Sequence, residues 1–280
     1  MAAHTSAAHV PDSLHGAADR ATDSDAFQYA ARAGFAVSGV LHLLVGYIIA
    51  RLAFVGGGGN ADQSGALATL AGTTGGAALL WVAAAGLVAL GLWRVAEAVL
   101  GAKPGESSGR RGDRPAWKRG KALGLAAINF AIAFSAARFA MGSGQSSAQQ
   151  NASLSGQLMA SGWGKALLIG IGVGVLVVGA YHVCKGASEK FLDDLRVAGG
   201  TAIVAVGITG YVAKGFALAG AGLLVILATL QADPLKATGL DAAVKIVGAA
   251  PFGKVLLVAA ALGLAAFGAY SFVRSRYGRM

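Results

Sequence analysis

The sequence predicts an all-α polytopic membrane protein, with six transmembrane helices in three tandem two-helix repeats forming a pseudo-threefold bundle. Three observations lead there: the composition, a residue spacing that occurs three times without a gap, and the distribution of Lys and Arg among the loops. The 280 residues are 55% apolar and 13% charged, with positive mean hydropathy. A soluble domain carries charge on nearer a quarter of its residues.

The repeated spacing lies in Gly76 to Glu97, Gly164 to Lys185 and Gly253 to Arg274. A Gly opens each stretch, and a second (Gly86, Gly174, Gly263) and a third (Gly91, Gly179, Gly268) follow at fixed distances. An aromatic comes next, as Trp93, Tyr181 or Tyr270, and the apolar run gives out at Glu97, Lys185 or Arg274. About 20 apolar residues at 1.5 Å rise cover roughly 30 Å, the thickness of a bilayer core. Glycine is abundant, 43 against five prolines with no Gly-X-Y period, so these glycines read as packing residues of apolar helices.

Taken in order, residues 1–26 are polar and lack the basic start and apolar centre of a secretory signal; they read as a flexible cytoplasmic tail before an uncleaved first helix. The histidines there, His4, His9 and His15, have no metal-ligand spacing. Repeat 1, residues 27–100, holds spans at about Arg32–Phe54 and Ala77–Leu100. A basic loop, 101–117, with Lys103, Arg110, Arg111 and Arg114, leads to repeat 2, residues 118–186, with spans from about Ala122 to Met141 and from Gly164 to Lys185. A connector, 187–200, precedes repeat 3 and a basic tail, 201–280, where span five ends near Gln231 and span six runs from about Lys254 to Val273.

Fifteen Lys and Arg fall in the tails and even-numbered loops, against four in the odd-numbered loops. The positive-inside rule then places both termini in the cytoplasm of a multi-pass protein of the inner (plasma) membrane. The odd spans repeat as well. Gly34, Gly39 and Gly46 fall on Gly210, Gly215 and Gly222, with Phe35 over Tyr211. Span three is the worn copy: Arg32 falls on Arg119, His42 on Asn129 and Arg51 on Arg138, while the glycines become Lys121, Ala126 and Ala133. This register starts the crossing of the long fifth run near Ile208 and leaves Lys214 about one turn inside the cytoplasmic edge, able to snorkel. Each odd loop carries a short apolar pattern, such as Leu154, Leu158 and Met159 or Leu240, Val244 and Val247, that suits a helix at the membrane surface.

The motifs GYVAKGFALAG, QADP followed by GLDAAV, PFGKVLL and GLAAFGAYSF, between Gly210 and Arg279, resemble the third unit of the bacterial membrane family catalogued as domain of unknown function 1206. Members of that family carry three such units in tandem, so the resemblance implies the same six-helix plan and supplies no catalytic residue.

At 100° per residue Gly86, Trp93 and Glu97 share a stripe while Gly91 lies about 140° away, so each even helix offers two close-packing faces. Gly170 and Gly174 add a GxxxG pair in span four. Each unit crosses twice, so the three share one orientation and are related by an axis along the membrane normal.

Ionisable groups inside a membrane are costly and need an explanation. His42 and its counterpart Asn129 lie near mid-span, where they either hydrogen-bond across helices or form an axial polar site. Arg51 and Arg138 either snorkel from the outer helix ends or line an outer vestibule that attracts anions. Arg94 and Glu97 are placed to pair within their helix. The chain has no HExxH or Walker motif and a single Cys, Cys184, and no cofactor, metal or catalytic residue is assigned. The expected partners are membrane lipids, including anionic headgroups at the cytoplasmic loops, and a membrane protein, with no nucleic acid. The functional expectation is a non-enzymatic protein acting through helix packing with protein or lipid partners. A small-solute or anion pathway along the axis is the alternative, and an intramembrane enzyme the third reading.

Overall fold

The computed structural model describes residues 25–56, 59–100, 116–197 and 199–279. The basic loop from 101 to 115 and the tail before residue 25 lie outside the described residues. Nine α-helices form within them: α1 (Asp25–Val55), α2 (Gln63–Ala71), α3 (Gly76–Leu100), α4 (Ala116–Ala140), α5 (Ser147–Met159), α6 (Gly162–Ala187), α7 (Thr201–Gln231), α8 (Leu240–Ala249) and α9 (Gly253–Tyr277). Six of them, α1, α3, α4, α6, α7 and α9, are long and apolar enough to cross a membrane. The run before Ile208 extends α7 as one helix of 31 residues, which resolves the overlong fifth span.

The long helices pack around the bundle in the order α1, α3, α4, then α6, α7, α9 and back to α1. We call the end where α1 starts and α9 stops the basic end, and the opposite end, which bears the short helices, the cap end. Two kinds of contact alternate. Between units, the third glycine of each even helix meets the next unit's odd helix. A Cβ on Gly268 would stand 2.9 Å from the Gly39 carbonyl, one on Gly179 would stand 2.7 Å from that of Gly215, and one on Gly91 would meet the Phe130 ring at 2.7 Å. The first two contacts bring backbones together and the third seats a ring against the helix; all three need glycine, which gives the interfaces their threefold likeness.

Within units, the second glycine packs on its own odd helix. Gly86 lies on Gly34 and Gly263 on Ala213, and a Cβ on Gly34 would stand 2.5 Å from the Gly86 carbonyl. Both close-packing faces expected of an even helix are therefore used in α3 and α9. The second unit departs from this: among the described residues, α4 and α6 do not pack along each other. Gly170 and Gly174 both face open space, so the expected GxxxG crossing does not form, and it is Gly172 that meets α7 at Gly222 and Ile226. The physical cause is on α4, where Lys121 occupies the place of Gly34 and Gly210. A long ammonium side chain cannot enter a backbone-to-backbone contact.

The seam is confined to part of the helices. Leu90 and Phe267 are 3% and 8% exposed and their counterpart Val178 is 46% exposed; Trp93 and Tyr270 are buried and Tyr181 is 43% exposed. One turn beyond Ile171 the symmetry returns, with Leu168 buried like Leu80 and Leu257. On α4, Ala133 and Ala136 are buried again in the main core, whose side chains come from Leu41, Val45, Leu87 and Leu264 among others.

The three short helices turn part of their apolar surface toward the bundle, while Leu154 and Ile246 stay exposed. Leu67 and Val244 join the main core and Met159 a satellite cluster, since burial against existing helices removes that surface from water. Side-chain caps start α2 at Asp62 and α5 at Ser146. The caps also bond one another. Asn60 donates to Ser146 at 2.6 Å, the Ser147 amide to Ser64 at 3.0 Å, and the Ala61 amide to Asp241 at 2.9 Å.

A direct test compares two glycines of α6. Gly179→Leu overpacks the α6–α7 contact and lowers stability by about 1–3 kcal/mol, whereas Gly174→Leu enters open space and leaves the unfolding temperature in detergent unchanged.

Candidate functional site

A cluster at the basic end brings together Arg94, Lys121, Lys185, Lys214 and Arg274 with the carboxylates of Glu97 and Asp194. Arg94 and Glu97, three residues apart on α3, pair at 2.6 Å. Lys185 of α6 meets Asp194 at 2.6 Å, and Arg274 of α9 approaches the same carboxylate at 3.7 Å. The charged residues that end the three repeat stretches, Glu97, Lys185 and Arg274, are thus drawn into one layer.

Asp194 reaches them from a short 3-10 turn, Leu192–Asp194, in the connector. That turn is fixed by its neighbours. Phe191 is fully buried, its ring stacked on Tyr211 and edge-on to Tyr270 at centroid distances of 5.4 and 5.3 Å. The Tyr270 hydroxyl donates to the Phe191 carbonyl at 2.7 Å. The Arg196 amide donates to the Tyr277 carbonyl at 2.8 Å and the Arg279 amide to the Asp194 carbonyl at 2.9 Å, which ties the connector to the end of α9. Aromatic faces take the remaining cation surface: Arg94 and Arg274 lie 5.7 and 4.6 Å from the Phe35 centroid.

Two further ammonium groups rest on aromatic faces as well. Lys214 of α7 lies 3.9 Å over the Phe267 ring, turned onto a buried aromatic, where the sequence had suggested snorkelling. Lys121 of α4 donates to the Tyr181 hydroxyl at 2.9 Å and lies 4.4 Å over its ring. Among the described residues, neither has a carboxylate within ion-pair distance. Both lie within electrostatic reach of His182, as does Lys185. The cluster therefore carries an excess of positive charge on helices from all three units.

The residues singled out in the sequence fall at different places. His42 donates through Nδ1 to its own helix at the Ser38 carbonyl, 2.7 Å away, and its ring packs on Phe267 at 4.7 Å, beside Lys214. Asn129 donates to the Leu125 carbonyl at 2.8 Å. The two take different partners rather than each other. At the cap end Arg51 lines a cavity of about 400 Å³ with Tyr47, Asn60 and Thr69. Arg138 lies 6.0 Å from the Phe134 centroid and 3.4 Å from Gln145, which lines a separate cavity. The sequence reading did not join Lys121, Lys214 and Asp194 into a site; the one signal available was Lys121 at a glycine position of the repeat.

The repeat geometry agrees with the comparison to known proteins. The family described as Domain of Unknown Function (DUF1206) matches the chain at residues 33–101, 121–189 and 209–278. The chain belongs to this family. Each DUF1206 match holds one two-helix unit, and the charged layer is built from the ends of all three. A Bacillus subtilis (strain 168) relative described as "Uncharacterized protein YxxB" is 28% identical over 254 residues, covering 89% of this chain and 90% of the relative. No solved structure matches.

Removing the shared carboxylate leaves Lys185 and Arg274 facing each other without a counter-charge, so Asp194→Ala lowers stability by about 3–5 kcal/mol. Tyr270→Phe, which deletes one buried hydrogen bond, costs about 1 kcal/mol. Chemical unfolding of the purified protein in detergent measures both.

Proposed function

We propose that this DUF1206 protein is a non-enzymatic membrane protein that binds an anionic group in the cationic cluster at its basic end, the cytoplasmic end by the distribution of Lys and Arg. The observation that carries this reading is the pair of ammonium groups, Lys121 and Lys214, held on aromatic faces with no carboxylate at ion-pair distance among the described residues. An unpaired charge such as Lys214, partly buried in α7, is costly, and an anion with oxygen acceptors relieves the cost through charge-assisted hydrogen bonds, while Lys121 is exposed to the same group. Asp194 and Glu97 are already engaged with Lys185, Arg274 and Arg94, which leaves the first pair of lysines for a ligand.

Binding suits the site better than chemistry or conduction. His42 and His182 each donate from Nδ1 to a backbone carbonyl of their own helix, at 2.7 and 2.8 Å, and among the described residues neither ring is hydrogen-bonded to a hydroxyl or thiol nucleophile. Beyond His42 the bundle is filled by Leu41, Val45, Ile49, Leu87 and Leu264, an apolar plug that favours a closed site over a through-pathway.

Inorganic phosphate tests the reading. Adding it to the full-length protein in zwitterionic detergent raises the unfolding temperature relative to chloride at equal ionic strength. Lys214→Met and Lys121→Met each weaken the phosphate response by about tenfold in apparent affinity, a loss of roughly 1.4 kcal/mol. A response that is absent, or that survives in the double variant, overturns the proposal.

A further inference from the structure

Resting on the anion-site reading, we infer that the natural ligand is an anionic phospholipid of the leaflet at the basic end, which enters sideways through the open seam between α4 and α6. The seam begins at Lys121 and Tyr181, and its walls are the residues that break the repeat symmetry. On α4 these are Gly124 and Ile128; Gly124 faces open space, and Ile128 is 56% exposed where its counterpart Leu41 is 2% exposed. On α6 they are Ile171, Gly174 and Val178, whose counterparts in α3, Ala83, Gly86 and Leu90, are buried.

The dimensions suit one acyl chain. From Ile171 to Tyr181 is ten residues, roughly 15 Å at 1.5 Å rise, which is half of a hydrocarbon core of about 30 Å. Past Ile171 on α6 and Ile128 on α4 the buried pattern of the other units resumes, at Leu168 and Ala133. A groove one leaflet deep accepts a lipid tail, while a partner's transmembrane helix, about 10 Å across, would need the whole membrane depth. Charge decides the headgroup. Lys121 sits at the mouth, and it and Lys214 lie within electrostatic reach of His182 on the adjoining turn of α6. A phosphodiester with no compensating cation of its own complements that set, and a zwitterionic headgroup does so less well.

The test uses the full-length protein after delipidation, with three probes: phosphatidylglycerol, phosphatidylcholine and inorganic phosphate. Wild type binds phosphatidylglycerol at least about tenfold more tightly than phosphatidylcholine. Gly124→Leu with Gly174→Leu, both into open space, fills the seam; it cuts phosphatidylglycerol affinity by about tenfold and leaves the phosphate response intact. On wild type, phosphatidylglycerol with a photoreactive acyl chain labels α4 and α6 between Lys121 and Tyr181, a readout independent of the variants. Loss of the phosphate response in wild type overturns the anion site itself. A normal phosphate response with unchanged lipid affinity in the filled variant, or with label placed elsewhere, overturns the lateral lipid site alone. Concentration-dependent dimers whose crosslinks map to the seam also overturn it, in favour of a second copy as occupant.

Discussion

The architecture depends on how closely helix backbones approach where no aqueous hydrophobic effect presses them together. Close approach requires a hydrogen where other residues have a side chain. Gly39 on Gly268, Gly215 on Gly179 and Gly91 on the Phe130 ring supply this between units, and they hold the three units in a cycle. Gly34 on Gly86 supplies it within the first unit, and Gly210 against Phe267 within the third. Lys121 withdraws it from the second. A single position thus separates five tight interfaces from one parted seam, and it does so without breaking the cycle, because the cap hydrogen bonds and the α3–α4 and α6–α7 contacts keep both walls in place.

The same lysine links packing to electrostatics. Had α4 and α6 packed as their counterparts do, Tyr181 would be buried like Trp93 and Tyr270, and the cationic cluster would be sealed on every side. With the seam open, Lys121 and Tyr181 meet at its mouth, and the excess charge of Lys214 and Lys121 lies where an anion can come to it. The far half of the bundle is packed with aliphatic side chains. One half of the protein is therefore an apolar core, and the other carries the excess of positive charge on which the proposed anion site rests.

Much of this was legible in the sequence because helical spacing is local. The three stretches, their glycines and the register of the odd spans follow from counting residues, and so does the isolation of span three as the worn copy. The prediction of two packing faces per even helix holds for α3 and α9 for that reason. Gly174 has the same spacing and no contact, because whether a glycine is filled depends on the facing helix, where Lys121 stands at the register position that Gly34 holds opposite Gly86. The outer short helices were visible as apolar patterns, but that they bond one another rests on Asn60, Ser146 and Asp241, polar residues with no periodic signal. Asp194 was hidden likewise: its role depends on a connector fixed by Phe191 and by the end of α9, many residues away.

The most direct test of the central claim is a comparison of three equivalent distances in lipid. Spin labels at Val40 and Leu92, Ala127 and Ala180, and Phe216 and Ala269, exposed positions on the paired helices of the three units, report the spacing of α1 from α3, α4 from α6 and α7 from α9. The account predicts that the first and third pairs agree, as helices packed at roughly 8–10 Å between axes require, and that the middle pair is distinctly longer. Three equal distances would contradict it, since the second unit would then be closed despite Lys121.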